Sequence, residues 1–263
     1  MNYSALTNKE PMTVCIKVKT FAPTKIRLRV FDYDNPKTHF TNRFKVINGI
    51  ETFYVLMPIT SEKINIEIYN EQNGNQKQDL DKSFEILEFS KKPLPTRYDL
   101  INMSNPKIKN FVEFAEQISF NCSYLNPGSY QSKNGKYFID IYDTITHSNG
   151  TELNTPARIA KNNGVIEISK KAFDTYTVPM RMAILLHEFS HYYVNENMDD
   201  ESEADLNGLL IYLSLGYPRI EAHEAWLDVF MDSASEANAE RYKIIEKFIK
   251  DFENNKIWKI KST

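Results

Sequence analysis

The stretch AILLHEFSH, residues 183–191, joins four consecutive apolar residues to a His-Glu-x-x-His pattern. The apolar run predicts a helix that is buried on most sides. On a helix, His187 and His191 lie on one face, one turn apart, so both imidazoles can reach the same ion. Glu188 is rotated by about 100° from that face, which suits a base acting on metal-activated water. The alternative interpretation is a structural helix with satisfied histidines.

A second polar pattern, ESEAD, follows at residues 201–205. Glu201 and Asp205 are four residues apart, so they share a helix face. Glu201 can supply a third zinc ligand, and Asp205 can accept the ring N–H of a ligating histidine. Ala204 and Gly208 are small and near the same face, so we expect this helix to approach the first one closely.

These two patterns together resemble the gluzincin metallopeptidases, in which HExxH is followed by a glutamate four residues before an aspartate. The resemblance covers about residues 137–224. It implies a zincin-like domain in which His187, His191 and Glu201 bind Zn²⁺ and Glu188 is the general base. The function that it implies is hydrolysis of peptide bonds by metal-activated water, in a zinc metalloendopeptidase.

The connection between the two patterns is shorter than in familiar members of that group, since only nine residues separate the second histidine from the glutamate. The first helix can therefore extend at most one further turn before the chain reverses. Asp199 or Asp200 could cap the returning helix. The short connection leaves Glu203 and Asp205 as alternative ligands.

Two further features of such enzymes have candidates in the sequence. GVIEIS, residues 164–169, resembles in placement the edge strand that pairs with an extended substrate, although an ordinary core strand is the alternative. A tetrahedral oxyanion needs a second electrophile. His223 is the candidate assigned to that role, with Tyr217 and Arg219 as alternatives by position and a surface role as the other interpretation of His223.

The chain changes character near KKPLPTRYD, residues 91–99, which predicts domains at residues 1–95 and 96–263. Before this stretch, apolar residues recur at every second position, a strand period. Asn48-Gly49 predicts a two-residue hairpin. The predicted fold class is α+β, an N-terminal antiparallel β-sandwich followed by a mainly helical domain with a small sheet. The alternating triplets are Val14, Ile16, Val18; Ile26, Leu28, Val30; and Ile64, Ile66, Ile68.

The second half of the chain is mostly helical by pattern. Helices are predicted to begin at Asn105-Pro106, after a cap at Thr177, and over residues 201–215. KYFIDIYDTI and GVIEIS predict strands, and the polar connection between them, residues 147–163, predicts a surface loop.

Composition limits the partners of the protein. A net charge of −3 over 263 residues gives no electrostatic reason to expect nucleic acid. No apolar run reaches the roughly 20 residues of a membrane span, and the first residues lack a signal peptide core. We therefore expect a cytoplasmic protein with no membrane partner. Cys15 and Cys122 lack metal-like spacing and predict reduced, buried thiols.

A second hypothesis is a role in a large assembly. LLIYLSLGYPRIEAHEAW, residues 209–226, resembles peptidase-motif proteins associated with virions of crAss-like phages of Bacteroidetes. This resemblance implies a structural or ring component of a virion that carries a zincin-like fold, active or not. Its partners would be other subunits, bound through the N-terminal domain, whereas the partner of a free enzyme is a peptide or protein substrate.

Overall fold

The computed structural model describes residues 1–72, 82–232 and 235–255. The chain divides into two compact units, the first formed by Met1–Pro95 with Gly216–Pro218 and the second by Thr96–Leu215 with the chain from Arg219 onward. Strands dominate the first unit, and six α-helices in the described residues belong to the second. The predicted α+β class is therefore confirmed at the level of a mixed fold.

Seven strands build the first unit, arranged in a four-stranded sheet of order β1-β6-β3-β4 and a three-stranded sheet of order β5-β2-β7. All of their pairings are antiparallel. The strands are β1 (Asn2–Leu6), β2 (Met12–Thr20), β3 (Thr24–Asp32), β4 (His39–Ile47), β5 (Ile50–Met57), β6 (Lys63–Asn70) and β7 (Phe84–Lys92).

The core of the first unit follows the period of two in the sequence. Ile26, Leu28 and Val30 of β3 are fully buried, and the intervening residues are partly exposed. The apolar triplets of β2 and β6 are also buried, and in β2 the intervening Cys15 is buried as well. Because successive side chains of a strand point to opposite faces, each triplet contributes to a single apolar face.

The turn at Asn48-Gly49 forms, but the predicted hairpin is wrong. Gly49 has a φ of +91°, a left-handed conformation that glycine adopts without strain. The strands on either side pair elsewhere, β4 with β3 and β5 with β2. The turn thus carries the chain from one sheet to the other, because turn residues favour a reversal without selecting the partner of each strand.

The second unit contains a four-stranded sheet of order β10-β11-β9-β8. The β9–β11 pairing is parallel and the other two are antiparallel. The strands are β8 (Gly128–Gln131), β9 (Phe138–Tyr142), β10 (Ala157–Ile159) and β11 (Ile166–Ser169). The helices are α1 (Pro106–Asn121), α2 (Lys170–Phe173), α3 (Val178–Tyr193), α4 (Glu201–Ser214), α5 (Arg219–Asp232) and α6 (Glu236–Glu253).

The predicted helix starts are confirmed. The Asn105 side chain accepts a hydrogen bond from the backbone N–H of Lys107, and the Thr177 hydroxyl accepts one from that of Met180. Pro106 and Pro179 lie in the first turns, where the missing N–H is tolerated. Within the described residues, no helix is long and apolar enough to cross a membrane.

Arg181 anchors α3, the helix that carries the two histidines. Its guanidinium is fully buried and donates to the Phe173 carbonyl, the Ser119 carbonyl and the Ser123 hydroxyl at 2.7–2.8 Å. Burial lowers the pKa of Arg181. These three bonds join α3 to α2 and to the end of α1. Cys122 beside them is a buried thiol without a disulfide, as is Cys15 in the first unit.

We predict that Arg181→Met destabilises the protein, because it leaves three buried acceptors without their donor. Each unsatisfied buried group costs about 1–3 kcal/mol, partly offset by removal of a buried charge. Urea unfolding followed by circular dichroism measures the loss. Lys109→Met, on an exposed position of α1, is the control and should change the midpoint little. Equal midpoints for the two variants would contradict the anchoring role.

Candidate metal centre

The two histidines of α3 face one another across a single helical turn. His187 Nε2 lies 3.1 Å from His191 Nε2, and the two ring planes are perpendicular. His191 is buried and His187 is partly buried. Most of the other residues of the helix are apolar and buried, as its sequence predicts. The helix thus presents two imidazole nitrogens at one point on a largely apolar surface.

A short connector between α3 and α4, residues 194–200, returns the chain to this point. Asp200 caps α4 by accepting a hydrogen bond from the Glu203 N–H at 2.9 Å, which confirms one of the two predicted caps. The Glu203 carboxylate accepts hydrogen bonds from the backbone N–H groups of Glu196 and Asn197. Glu203, an alternative ligand in the sequence, therefore braces the connector.

The two helices touch at the level of their backbones. Gly208 of α4 packs so closely on α3 that a Cβ atom there would lie 2.8 Å from the His187 nitrogen and 2.9 Å from the Leu186 carbonyl carbon. Real Cβ atoms essentially never approach backbone atoms so closely. Ala204, one turn earlier, is fully buried. The expected close approach at these small residues is confirmed.

This approach brings Glu201, the first residue of α4, to the histidines. Its carboxylate oxygens lie 3.5 Å from His187 Nε2 and 3.6 Å from His191 Nε2. One potential ligand atom from each of the three residues lies within 4.8 Å of the others. The group could therefore hold a metal ion.

The charges of the group favour a cation at this point. Burial lowers the pKa of His187, but the carboxylates of Asp205 and Glu201 outweigh burial and raise it to about 10. The same histidines lower the pKa of Glu201 far below its ordinary value. Without a metal, the carboxylates thus hold a proton on the His187 imidazole. A metal cation at the same point would supply the positive charge in place of that proton.

The second nitrogen of each histidine, Nδ1, also lies close to an oxygen atom. His191 Nδ1 lies 2.9 Å from the carbonyl oxygen of Met198 in the connector. Since a carbonyl oxygen can only accept, the ring proton lies on Nδ1, and Nε2 is left to bind a metal. His187 Nδ1 lies 3.0 Å from Asp205 Oδ1, at an angle outside that of a good hydrogen bond. Asp205 therefore contacts His187 at Nδ1, but without the hydrogen bond from the ring N–H that the sequence predicts.

Asp205 is almost fully buried and receives donors from two further helices. The Trp226 indole N–H of α5 donates to Asp205 Oδ1 at 2.8 Å. Arg241 of α6 donates from Nε to Oδ2 at 2.8 Å and from Nη2 to Oδ1 at 3.0 Å. These charge-assisted bonds and His187 keep the carboxylate ionised, and its pKa is lowered although burial alone would raise it.

Glu188 lies in the same cavity as the three candidate ligands. The cavity has a volume of about 250 Å³ and is lined by residues of β10, α3, α4, α5 and α6. Burial raises the pKa of Glu188, and the two neighbouring histidines oppose that change. The nearby backbone of Ile159 in β10 also lowers this pKa, and Ile159 lines the same cavity.

The open edge beside this cavity belongs to β10 and not to GVIEIS. The latter forms β11, which is paired on both sides, so its interpretation as an edge strand is wrong and that as a core strand is right. Residues 147–163, predicted as a loop, contain β10. A three-residue strand within a long polar segment has too few residues to show a period.

The candidates for a second electrophile lie elsewhere. His223 does not line the cavity, and its Nδ1 lies 3.3 Å from the Tyr242 hydroxyl. Arg219 forms an ion pair with Glu253, and Tyr217 belongs to the first unit. The structure thus joins Glu188 and Asp205 to the three candidate ligands, and it does not bring His223 to them.

Comparison of the chain with protein-family models, with curated proteins and with solved structures gave no match.

We predict that Gly208→Ala destabilises the protein, although Gly→Ala within a helix ordinarily stabilises it by about 0.5–1 kcal/mol. The added Cβ must push α4 from α3, an overpacking that costs about 1–3 kcal/mol. Urea unfolding measures the sign. Ser202→Ala, on the same helix, is the control and should lie within about 0.5 kcal/mol of the parent. A stabilised Gly208→Ala protein would show that the helices are not in backbone contact.

Proposed function

We propose that this protein is a zinc-dependent metalloendopeptidase and that its second unit is a zincin-like, gluzincin-type domain. One observation carries the proposal: a carboxylate and two imidazoles converge within 4.8 Å in a cavity that also contains a separate carboxylate, that of Glu188. The first three supply a ligand set, and the fourth is a base that is not needed as a ligand.

Zinc fits this ligand set better than the hard cations. Imidazole nitrogens together with a single carboxylate suit zinc, whereas calcium and magnesium select oxygen ligands. Three protein ligands leave one position of a tetrahedral site for water or substrate. Bound zinc would lower the pKa of that water and polarise the carbonyl of the substrate.

Glu188 would carry the protons of the reaction. Its carboxylate accepts a proton from the attacking water as the oxygen adds to the carbonyl carbon, and donates it to the nitrogen as the C–N bond breaks. The products are a carboxylic acid and an amine, which become a carboxylate and an ammonium group by proton transfer, and the glutamate returns to its starting state. The position of Glu188 in the same cavity as the three candidate ligands supports this role.

The edge of β10 would bind the substrate backbone. Backbone groups of Pro156 and Ala160, on either side of β10, are bonded towards β11. Because this direction alternates along an antiparallel strand, those of Ala157 and Ile159 point to the open edge. An extended peptide could pair there as an additional strand.

The wall of the cavity formed by α3 and α5 would accept an apolar side chain of the substrate. The apolar residues of this wall are Ile184 of α3, which precedes His187 by nearly one turn, and three residues of α5. Burial of an apolar side chain there would favour substrates that carry one beside the cleaved bond. The three residues of α5 are Ala225, Trp226 and Val229.

For the first unit, we propose that its two sheets form a β-sandwich that docks a partner or a protein substrate. Each sheet has one buried, apolar face, and two such faces are most simply covered by one another. Within the described residues of this unit, no group of histidine, cysteine and acidic side chains could hold a metal ion.

We predict about one zinc per chain in the purified protein by elemental analysis. Glu188→Gln should keep the metal and lower kcat/KM on a peptide substrate by about 10²–10⁴-fold, because only the base is lost. Glu201→Ala should lose most of the zinc, because the site is left with two ligands.

Glu203→Gln is the matched control, since it removes a neighbouring negative charge but keeps a side-chain oxygen that can accept a hydrogen bond from the connector. It should keep the zinc, and loss of zinc from this variant alone would assign the third ligand to Glu203. A folded parent protein without zinc affinity would refute the peptidase proposal.

A further inference from the structure

The carboxylate of Glu201 needs a support that its own helix does not provide. Glu201 is the first residue of α4, and about half of its side chain is exposed. A flexible exposed side chain loses rotamer entropy when a metal fixes it, which weakens binding. Besides the two histidines, its ion-pair partner is Arg241, whose Nη2 lies 3.1 Å from Glu201 Oε2.

Arg241 contacts two carboxylates at once. Its Nη2 lies within 3.1 Å of both Glu201 and Asp205, and its Nε donates to Asp205 at 2.8 Å. The rigid fork of a guanidinium is suited to such a bridge, because its donors lie in one plane at fixed angles. Asn238, one turn earlier on α6, accepts from Nη1 at 3.4 Å. One side chain of α6 therefore fixes both Glu201 and Asp205 of α4.

The charge of Arg241 also sets the net charge of the cavity, which suits a divalent metal ion. Glu188, Glu201 and Asp205 line the cavity, and Arg241 opposes one of these three negative charges. The two other basic side chains of the cavity are paired with carboxylates that do not line it. When both histidines are neutral, as metal ligands must be, the excess of two negative charges is the amount that a divalent cation neutralises. Without Arg241, the buried Asp205 carboxylate would lose its ionic partner, which is costly in a buried site.

The guanidinium also repels the metal, so the net effect depends on where its charge lies. Two of its contacts are to Asp205, so much of its charge is opposed locally and its field at the ligand atoms is reduced. The contact between Arg241 Nη2 and Glu201 remains, and it fixes the orientation of the Glu201 carboxylate. Orientation should therefore outweigh repulsion.

We propose that Arg241 is the positioning residue of the metal centre: it holds Glu201 in place as a ligand and Asp205 against His187, so that α6 sets the metal affinity of the α3–α4 pair. This inference rests on the proposed function, since it assumes that the three residues bind a metal.

The test is a zinc titration of the full chain in competition with a chromophoric chelator. Arg241→Met removes the bridge and should weaken zinc binding by about 10–100-fold, the usual effect of losing a group that supports a ligand. Arg241→Lys keeps the charge but has a single ammonium for two carboxylates, so a smaller loss is expected. Lys243→Met is the matched control on α6, since Lys243 is exposed and paired only locally, and it should bind zinc like the parent.

The visible spectrum of the cobalt-substituted protein gives a second readout. If Arg241 orients Glu201, Arg241→Lys should shift the ligand-field bands of Co²⁺, which a purely structural role in packing α6 would leave unchanged. This variant decides the question even if Arg241→Met does not fold.

Three outcomes count against the inference. Parent-like zinc affinity in Arg241→Lys together with an unshifted cobalt spectrum would overturn it, as would an equal loss of affinity in Lys243→Met. Unchanged affinity in a folded Arg241→Met protein would do the same. Absence of zinc binding by the parent chain would refute the proposed function itself, and it is recognised before any variant is compared.

Discussion

The contact between the backbones of α3 and α4 controls the geometry of the candidate metal centre. Gly208 lies against the backbone of His187 with no space for a Cβ atom. Glu201 lies seven residues earlier on the same helix, so the distance between the helices decides whether its carboxylate reaches the imidazoles. An oxygen within 3.6 Å of each Nε2 is therefore a consequence of packing between two helices as much as of the side chains themselves.

Asp205 connects this pair of helices to the rest of the second unit. It faces His187 of α3, accepts a hydrogen bond from Trp226 of α5 and binds Arg241 of α6. A carboxylate this deeply buried is stable only because three N–H donors, one from Trp226 and two from Arg241, surround it. Four helices thus meet at the Asp205 carboxylate, and displacement of any of them would move the group that contacts His187 Nδ1.

The sequence predicts the parts of this centre that depend on local spacing. Two histidines four residues apart, and an aspartate four residues after a glutamate, share helix faces whatever surrounds them. Arg241 lies 36 residues beyond Asp205 on another helix, and no spacing rule relates the two positions. The same difference applies to β10, whose three residues show no period, and to Asn48-Gly49, where the turn forms but strand pairing depends on distant residues.

The involvement of α6 couples metal binding to folding. The α3–α4 pair alone would offer three ligand groups and an excess of negative charge, with Glu201 unsupported on one side. Docking of α6 adds a guanidinium to both carboxylates, so any metal that binds the docked form more tightly must also stabilise the docking of α6 by the same free energy. A centre built in this way uses the last described helix of the chain to complete a site whose ligands lie on two earlier ones.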